Sequence, residues 1–375
     1  MPSSSRLVNG LAAACVLLLV AGVLFVFAHP ALSASPRVSI ITPATPDSST
    51  LPTTTAATTT TTLAATTTTV AVTTTTVPPP TATTTAPPSL TARSAVGIQS
   101  FVFVDTGRAT PPAAGVPGAA SRTLPTIVRY PTDGGDTGAE VPNAAGRHGG
   151  HLFPLIVFAH GYDSSPAVYA GLLHFWASAG YVVAAPSFPR ATAGGPLDEN
   201  DVANQPGDLS FVITKVQALA AAGGPLAGIV DPAHVGVAGH SDGASTTAGI
   251  GYNTCCRDGR VLADAVMEGD EHPYPGGSYF PPGAEPALLV IQADQDAFNP
   301  PPLGQAVYAG GRSPKYLLWL LNAQHLEPYT TDAVHLAVVE TVTTAFFDRY
   351  LKGHADGVTQ MRRGATAGVA TLTAG

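Results

Sequence analysis

Downstream of Val96 the chain alternates short, continuous apolar runs with longer stretches whose apolar residues recur every three or four positions. Pro154–Ala159 (PLIVFA), Tyr181–Ala185, His234–Ala238, Val261–Met267, Ala287–Ala293 and Tyr316–Leu321 have strand length and are mostly apolar. Such runs predict strands covered on both faces. Pro166–Ala179, the stretch from Pro206 through DLSFVITKVQALAAA, Asp242–Gly251, Pro302–Ala309 and Ala333–Lys352 read as helices. Gly180 and Gly223-Gly224-Pro225 supply stops, and Pro206 sits where a missing N–H costs little. Phe101–Val104 and Thr126–Tyr130 read as early strands, and the Gly/Pro-rich Pro131–Gly150 as a loop. This alternation predicts an α/β fold with one mostly parallel central sheet and helices on both faces. Ligands in such folds sit beyond the carboxyl ends of the strands. Chemistry is therefore expected in the turns that directly follow strands.

Upstream the pattern disappears. From Pro36 to about Ser94 nearly every residue is Thr, Ala, Pro or Ser, too little apolar surface to offset the entropy of ordering. An extended, solvated spacer is expected there. Before it, Arg6 precedes an uncharged apolar stretch, Leu11–Ala28, that exits through Ala31-Leu32-Ser33-Ala34. A basic residue, an apolar core and a small-residue exit describe a secretory signal peptide. At about 18 residues the stretch is also near bilayer-spanning length, so an uncleaved anchor is the rival reading. The expected organisation is a signal peptide or membrane anchor over 1–34, a disordered linker over 35–95 and one catalytic domain over 96–375. Either reading makes the protein secreted or cell-surface, with the membrane touched only through the N-terminal segment.

Net charge changes the picture by exclusion. The chain carries a formal −8 with 11% charged residues and no Lys/Arg-rich block. Nucleic-acid binding, which needs a concentrated positive footprint, is not expected. Only Cys15, Cys255 and Cys256 occur, which excludes a disulfide framework and cannot make a zinc site. The adjacent pair reads as a ring closed on itself or as two thiols, structural in either case.

The candidate chemistry lies where the pattern puts it. Gly239-His240-Ser241-Asp242-Gly243 matches G-x-S-x-G, a motif short enough to arise by chance, but it directly follows the strand HVGVA and opens a helix. A serine on a tight strand-to-helix turn is held with its hydroxyl above the sheet, and glycines two residues either side remove colliding Cβ atoms. A serine nucleophile needs a base, and the base needs an orienting acid. His325 follows the last apolar run, and Asp294 and Asp296 follow PALLVIQA. The chain order Ser, Asp, His is the one such folds use. His160, His240, His272, His335 and His354 are less well placed, although His272 lies in a loop able to border a pocket. For the developing oxyanion, backbone N–H donors are expected from Asp242, next after the serine, and from Tyr162 in His160-Gly161-Tyr162. No cofactor or metal is required.

At these residues the chain resembles α/β-hydrolases of the platelet-activating-factor acetylhydrolase-like and dienelactone-hydrolase-like groups. PLIVFAHGYDSSPAVYAGLLHFWASAGYVVAAPSFP is similar to their oxyanion-loop region, and GHSDGA, VIQADQDAFNP and LNAQHLEPY to their nucleophile, acid and histidine segments. NQPGDLSFVI resembles a helix of the acetylhydrolase-like members, and TIVRYPT an early strand of cutinase-like polyesterases. The likeness spans about Ser121–Lys352. It implies the α/β-hydrolase fold, ester hydrolysis through an acyl-enzyme, and Asp296 as the acid, with Asp294 left to cap its turn. Ser241 departs from the cysteine of strict dienelactone hydrolases, Asp242 stands where many relatives carry Met or Gln, and Gln292 where Gly is usual. Asp242 is expected to disfavour anionic acyl groups. No insertion has the length of a lid, which implies an open cleft for short acyl chains or lipid-like esters. A polyesterase or acyltransferase with the same triad is the enzymatic alternative. A catalytically idle surface binding module is the other, and the complete ordered triad speaks against it.

Overall fold

The computed structural model describes residues 93–375, apart from 149, 151, 222, 224 and 225. The expected signal peptide or anchor, and all of the expected linker but its last three residues, lie outside these. Among the described residues no helix is long and apolar enough to cross a membrane.

Among the described residues ten strands form one sheet in the order β10-β9-β8-β7-β6-β4-β5-β2-β1-β3. A long hairpin of β1 (Ser94–Asp105) and β2 (Arg122–Gly135), with the short β3 (Glu140–Pro142), makes one edge. The centre is parallel: β4 (Phe153–Ala159), β5 (Val182–Pro186), β6 (Val230–His240), β7 (Val261–Met267), β8 (Ala287–Ala293) and β9 (Lys315–Leu320). β10 (Ala370–Ala374) closes the other edge antiparallel to β9. The helices are α1 (Ala170–Ser178), α2 (Gln205–Ala221), α3 (Asp242–Tyr252), α4 (Pro301–Gly310), α5 (Ala333–Leu351) and α6 (Gly357–Gly364).

Both faces of the sheet are covered, which is why its central strands are apolar without alternation. Along β4, Ile156 and Phe158 pack with Leu172, Trp176 and Phe347 of α1 and α5, while Leu155 and Val157 pack with Leu209, Val212 and Ile213 of α2. Under α3 a third cluster joins Ala244, Ala248 and Tyr252 to Val266, Val290 and, from α4, Val307. Trp176 has no exposed surface and still satisfies its indole N–H on Thr343 Oγ1. Burying an aromatic side chain of that size contributes about 2–3 kcal/mol.

The structure departs from the sequence pattern at the periphery. Pro131 does not open a loop: β2 continues to Gly135, pairing Pro131 with Val96. β5 pairs β2 only over Thr126–Arg129, so beyond Arg129 that side has no partner strand and a missing N–H is harmless. α1 begins at Ala170, four residues after Pro166, and β1 begins at Ser94, inside the stretch read as linker. α6 and β10 had no expectation. α6 buries only Gly357, Met361 and Gly364, and β10 is a five-residue edge strand, Ala-Thr-Leu-Thr-Ala, that buries only Ala370, so neither offers the long apolar run that marks the central strands. Cys255 and Cys256 are joined to each other.

A buried ionic network fixes the approach to the cleft. Arg122, fully buried at the start of β2, donates to Asp201 at 2.8 Å and to Asp208 at 2.6 and 2.7 Å. Burial works against its charge, yet the hydrogen bonds to Asp201 and Asp208 outweigh it and hold the guanidinium protonated. Asp201 lies in the 3-10 turn Glu199–Asn204, and Asp208 in the first turn of α2. The network therefore sets the place of Glu199 and Asn200, which border the site.

Candidate active site

Because β4, β6, β7, β8 and β9 are parallel, the residues after each emerge at one end of the sheet. These are His160-Gly161-Tyr162, Ser241, Glu268, Asp294 to Asp296, and the turn leading to His325. Ser241 has φ 58° and ψ −127°, a backbone region that a non-glycine residue occupies only when its surroundings force it. They do so from both sides. Its N–H donates to the Met267 carbonyl at 3.0 Å, and its carbonyl accepts from Ala244 at 2.8 Å in the first turn of α3. A Cβ on Gly239 would strike the Gly243 carbonyl, and one on Gly243 would strike the Ala159 carbonyl. Only with glycine at both positions can α3 start this close to β4.

The structure brings the three predicted side chains into one line. His325 Nε2 lies 3.0 Å from Ser241 Oγ, and His325 Nδ1 lies 2.7 Å from Asp296 Oδ2. The other Asp296 oxygen accepts the N–H groups of Phe298 at 2.8 Å and Asn299 at 2.9 Å. Burial alone would raise this carboxyl. The hydrogen bonds from His325 and the Asn299 N–H prevail and hold it below its ordinary range. It is thus a carboxylate, and a carboxylate at Nδ1 places the imidazole's lone pair at Nε2, facing the hydroxyl. Asp294 accepts from the Ala323 N–H at 3.3 Å, tying the acid turn to the histidine turn.

Of the residues expected to supply backbone donors, Asp242 directly follows the serine and opens α3, and Tyr162 belongs to the loop after β4. Gly161 brings the loop so close that a Cβ there would sit 3.1 Å from Ser241 Cβ. His160 holds that loop. Nδ1–H donates to the Gly161 carbonyl at 2.8 Å and Nε2 accepts the Phe188 N–H at 3.3 Å. Burial pushes this imidazole down to about 4, so it stays neutral.

His240 does more than fill the variable position of the motif. A carbonyl can only accept, so Nε2 carries the proton it donates to the His325 carbonyl at 2.7 Å. Nδ1 then accepts the Tyr169 hydroxyl at 2.8 Å. Burial, followed by the charge of His325, pushes this ring down to about 3, which keeps one N–H and one lone pair. The backbone of His325 is thereby pinned from below. Glu268 was missed altogether, although it directly follows an apolar run, the very position that drew attention to Ser241 and Asp296.

A small polar cavity of about 270 Å³ adjoins the serine, lined by Glu199, Asn200, Val202, Asp242, Ser245, Asp270, His272 and Asn299. Burial, and then Glu199 and Asp270, push the Asp242 carboxyl up to about 6. On the histidine side Phe298 is 80% exposed, its ring centroid 5.1 Å from that of His325. A larger cavity, about 910 Å³, lies at the opposite end of the sheet beside Phe153, Gly180, Asp231 and Lys352, remote from this chemistry. Among the described residues no cluster of His, Cys, Asp and Glu has the arrangement of a metal site.

Comparison with known proteins agrees with this architecture. The family model for chlorophyllase matches residues 141–257, which include the Ser241 turn and the Gly161 loop. The solved structure of a ferulic acid esterase from Streptomyces cinnamoneus superposes with a TM-score of 0.53 at 21% identity, covering 70% of this chain and 92% of that one. No curated protein sequence matches the chain.

Proposed function

We propose that this α/β-hydrolase is an exported serine carboxylic-ester hydrolase that works through an acyl-enzyme on short-chain or lipid-like esters. The carrying observation is the unbroken hydrogen-bonded line from Ser241 Oγ through His325 to Asp296. Ser241 Oγ attacks the ester carbonyl while His325 Nε2 takes its proton. The N–H groups of Tyr162 and Asp242 receive the oxyanion, and the alcohol leaves with the proton that His325 returns. Water, activated by the same imidazole, then releases the acid. Asp296 keeps the tautomer and bears no proton itself.

The size of the site supports small acyl groups: the cavity beside the serine holds about 270 Å³, and Phe298 stands free at the mouth. The names of the matched family and structure bring chlorophyll and ferulic acid esters into consideration beside acetyl esters and phospholipids. The test is the full chain and Ser241→Ala against p-nitrophenyl esters of increasing acyl length, with those natural esters alongside. Loss of the nucleophile is expected to lower turnover by about 10³-fold or more. Unchanged turnover in S241A ends this reading.

A further inference from the structure

Glu268 is a buried carboxyl that the mechanism above does not use. It follows β7 directly, has φ 55° and no exposed surface. Three groups aim donors at it. Oε1 accepts the Ala293 N–H at 2.7 Å and the Tyr329 hydroxyl at 2.6 Å, and Oε2 accepts the Gln292 side-chain amide at 2.5 Å. Asn299 Nδ2 donates to its backbone carbonyl. These contacts bind it to both turns that carry the candidate triad. Ala293 and Asn299 flank Asp296, and Tyr329 ends the turn that begins at His325.

The Glu268 carboxyl also lies in hydrogen-bonding contact with that of Asp296. Two adjacent carboxyl groups in a dry site cannot both ionise cheaply, so one keeps its proton. Asp296 already receives the imidazole and two backbone N–H groups and is the better-solvated anion. Burial drives Glu268 well above the carboxylate range. With Oε1 taken by two donors, Oε2 carries the proton toward Asp296. The groups facing Glu268 are Asp296 from the turn after β8 and Tyr329 from the turn after β9. His325 lies beyond Asp296, and His240 lies beyond Tyr329 with ring centroids 4.8 Å apart.

We propose that Glu268 is a positioning residue: its protonated carboxyl donates to Asp296 and so fixes the carboxylate that orients His325. This rests on the triad reading above. Without that donor the Asp296 carboxylate is freer and more basic, His325 is held less well, and its imidazolium is stabilised.

The experiment uses the full chain, E268A and E268Q, with melting temperatures recorded alongside. Two rates are followed from pH 5 to pH 9: turnover of a p-nitrophenyl acetate-type ester and labelling of Ser241 by a fluorophosphonate. E268A is expected to lose about 30-fold in kcat and in labelling rate at nearly constant KM, with the acid limb moved up by about half a pH unit. E268Q keeps a donor to Asp296 and an acceptor for Ala293 and Tyr329, but its amide meets the Gln292 amide that Oε2 accepts in the parent, so Gln292 must turn away. Its rates are expected to lie between those of E268A and the parent, with the acid limb in place because the donor to Asp296 remains. Parent rates and acid limb in E268A overturn the proposal, and so does an E268Q whose acid limb moves as far as that of E268A. Should E268A fail to fold, Tyr329→Phe decides. It removes one donor that fixes Glu268, so the same shift is expected with a loss of about fivefold, and parent behaviour overturns the proposal. A parent chain that is labelled but turns over no ester defeats the proposed function while the labelling arm still decides the role of Glu268. A parent neither labelled nor active defeats both.

Discussion

Asp242 contributes two unlike groups to the site, a backbone N–H next to the nucleophile and a carboxyl on the wall of the small polar cavity. Their chemistry can be separated by pH. Burial, with Glu199 and Asp270 behind it, moves the carboxyl up to about 6, so the wall is largely neutral at pH 5 and negative at pH 8. An acyl chain ending in a carboxylate meets no penalty from Asp242 at the lower pH and repulsion at the higher. Asp242→Asn keeps the backbone donor and removes the charge. The ratio of kcat/KM for a succinyl-type ester to that for a butyryl ester, taken as D242N over parent, should be near one at pH 5. It should rise to about fivefold at pH 8, the size of an incompletely screened charge contact. Titration of the substrate cancels because both enzymes are compared at each pH. A flat ratio would place the acyl chain elsewhere.

The elements around the site owe their positions to close approaches as much as to apolar faces. α3 starts against the end of β4 because Gly239 and Gly243 have no side chains to keep the segments apart. Gly243→Ala drives a methyl into the Ala159 carbonyl, so the helix must shift or the serine turn must relax. We expect a loss of about 2–4 kcal/mol in unfolding free energy, read by urea titration. Any folded fraction should show slower fluorophosphonate labelling of Ser241 as well. This is also where the sequence was legible. A continuous apolar run states that a strand is covered twice, and a glycine-flanked serine after such a run states a tight turn. The three side chains that the structure joins were therefore readable from position alone, apart from the choice between Asp294 and Asp296, which needed the family pattern. Peripheral elements were not readable in this way. β2 runs through Pro131 because its neighbour ends, a fact about pairing that no local pattern carries, and α6 and β10 bury too little to impose a period. Glu268 and His240 escaped for a related reason. A lone buried carboxyl after a strand, or a histidine inside a motif, acquires its role from partners about 25 to 85 residues away in the chain, and one sequence does not reveal those partners.

Taken as a whole, the molecule buries carboxyl groups in two different ways, and they pull its stability in opposite directions as pH changes. Asp258 and Asp296, held by hydrogen bonds from Arg260 and from His325, sit below their ordinary values despite burial. Their folded-state contribution is present at neutral pH and is lost on acidification. Asp264, in β7 beneath α3, is the contrary case. It is fully buried, and among the described residues no donor reaches either oxygen. Thr247 stands beside it, but its hydroxyl donates to the Ala244 carbonyl. Burial therefore raises this carboxyl well above its ordinary value, and the native state holds a proton that the unfolded chain gives up. Stability from this group is complete below pH about 4 and declines as pH rises toward the folded-state value, by at most about 1.4 kcal/mol per unit. Asp264→Asn has nearly the same shape and no proton to lose. Its melting temperature should match the parent's near pH 4 and exceed it by about 3 °C or more at pH 8, with the gap opening steadily between. Thermal melts across that range check it. A gap independent of pH would mean that Asp264 is ionised in the folded protein and satisfied by a partner still to be found.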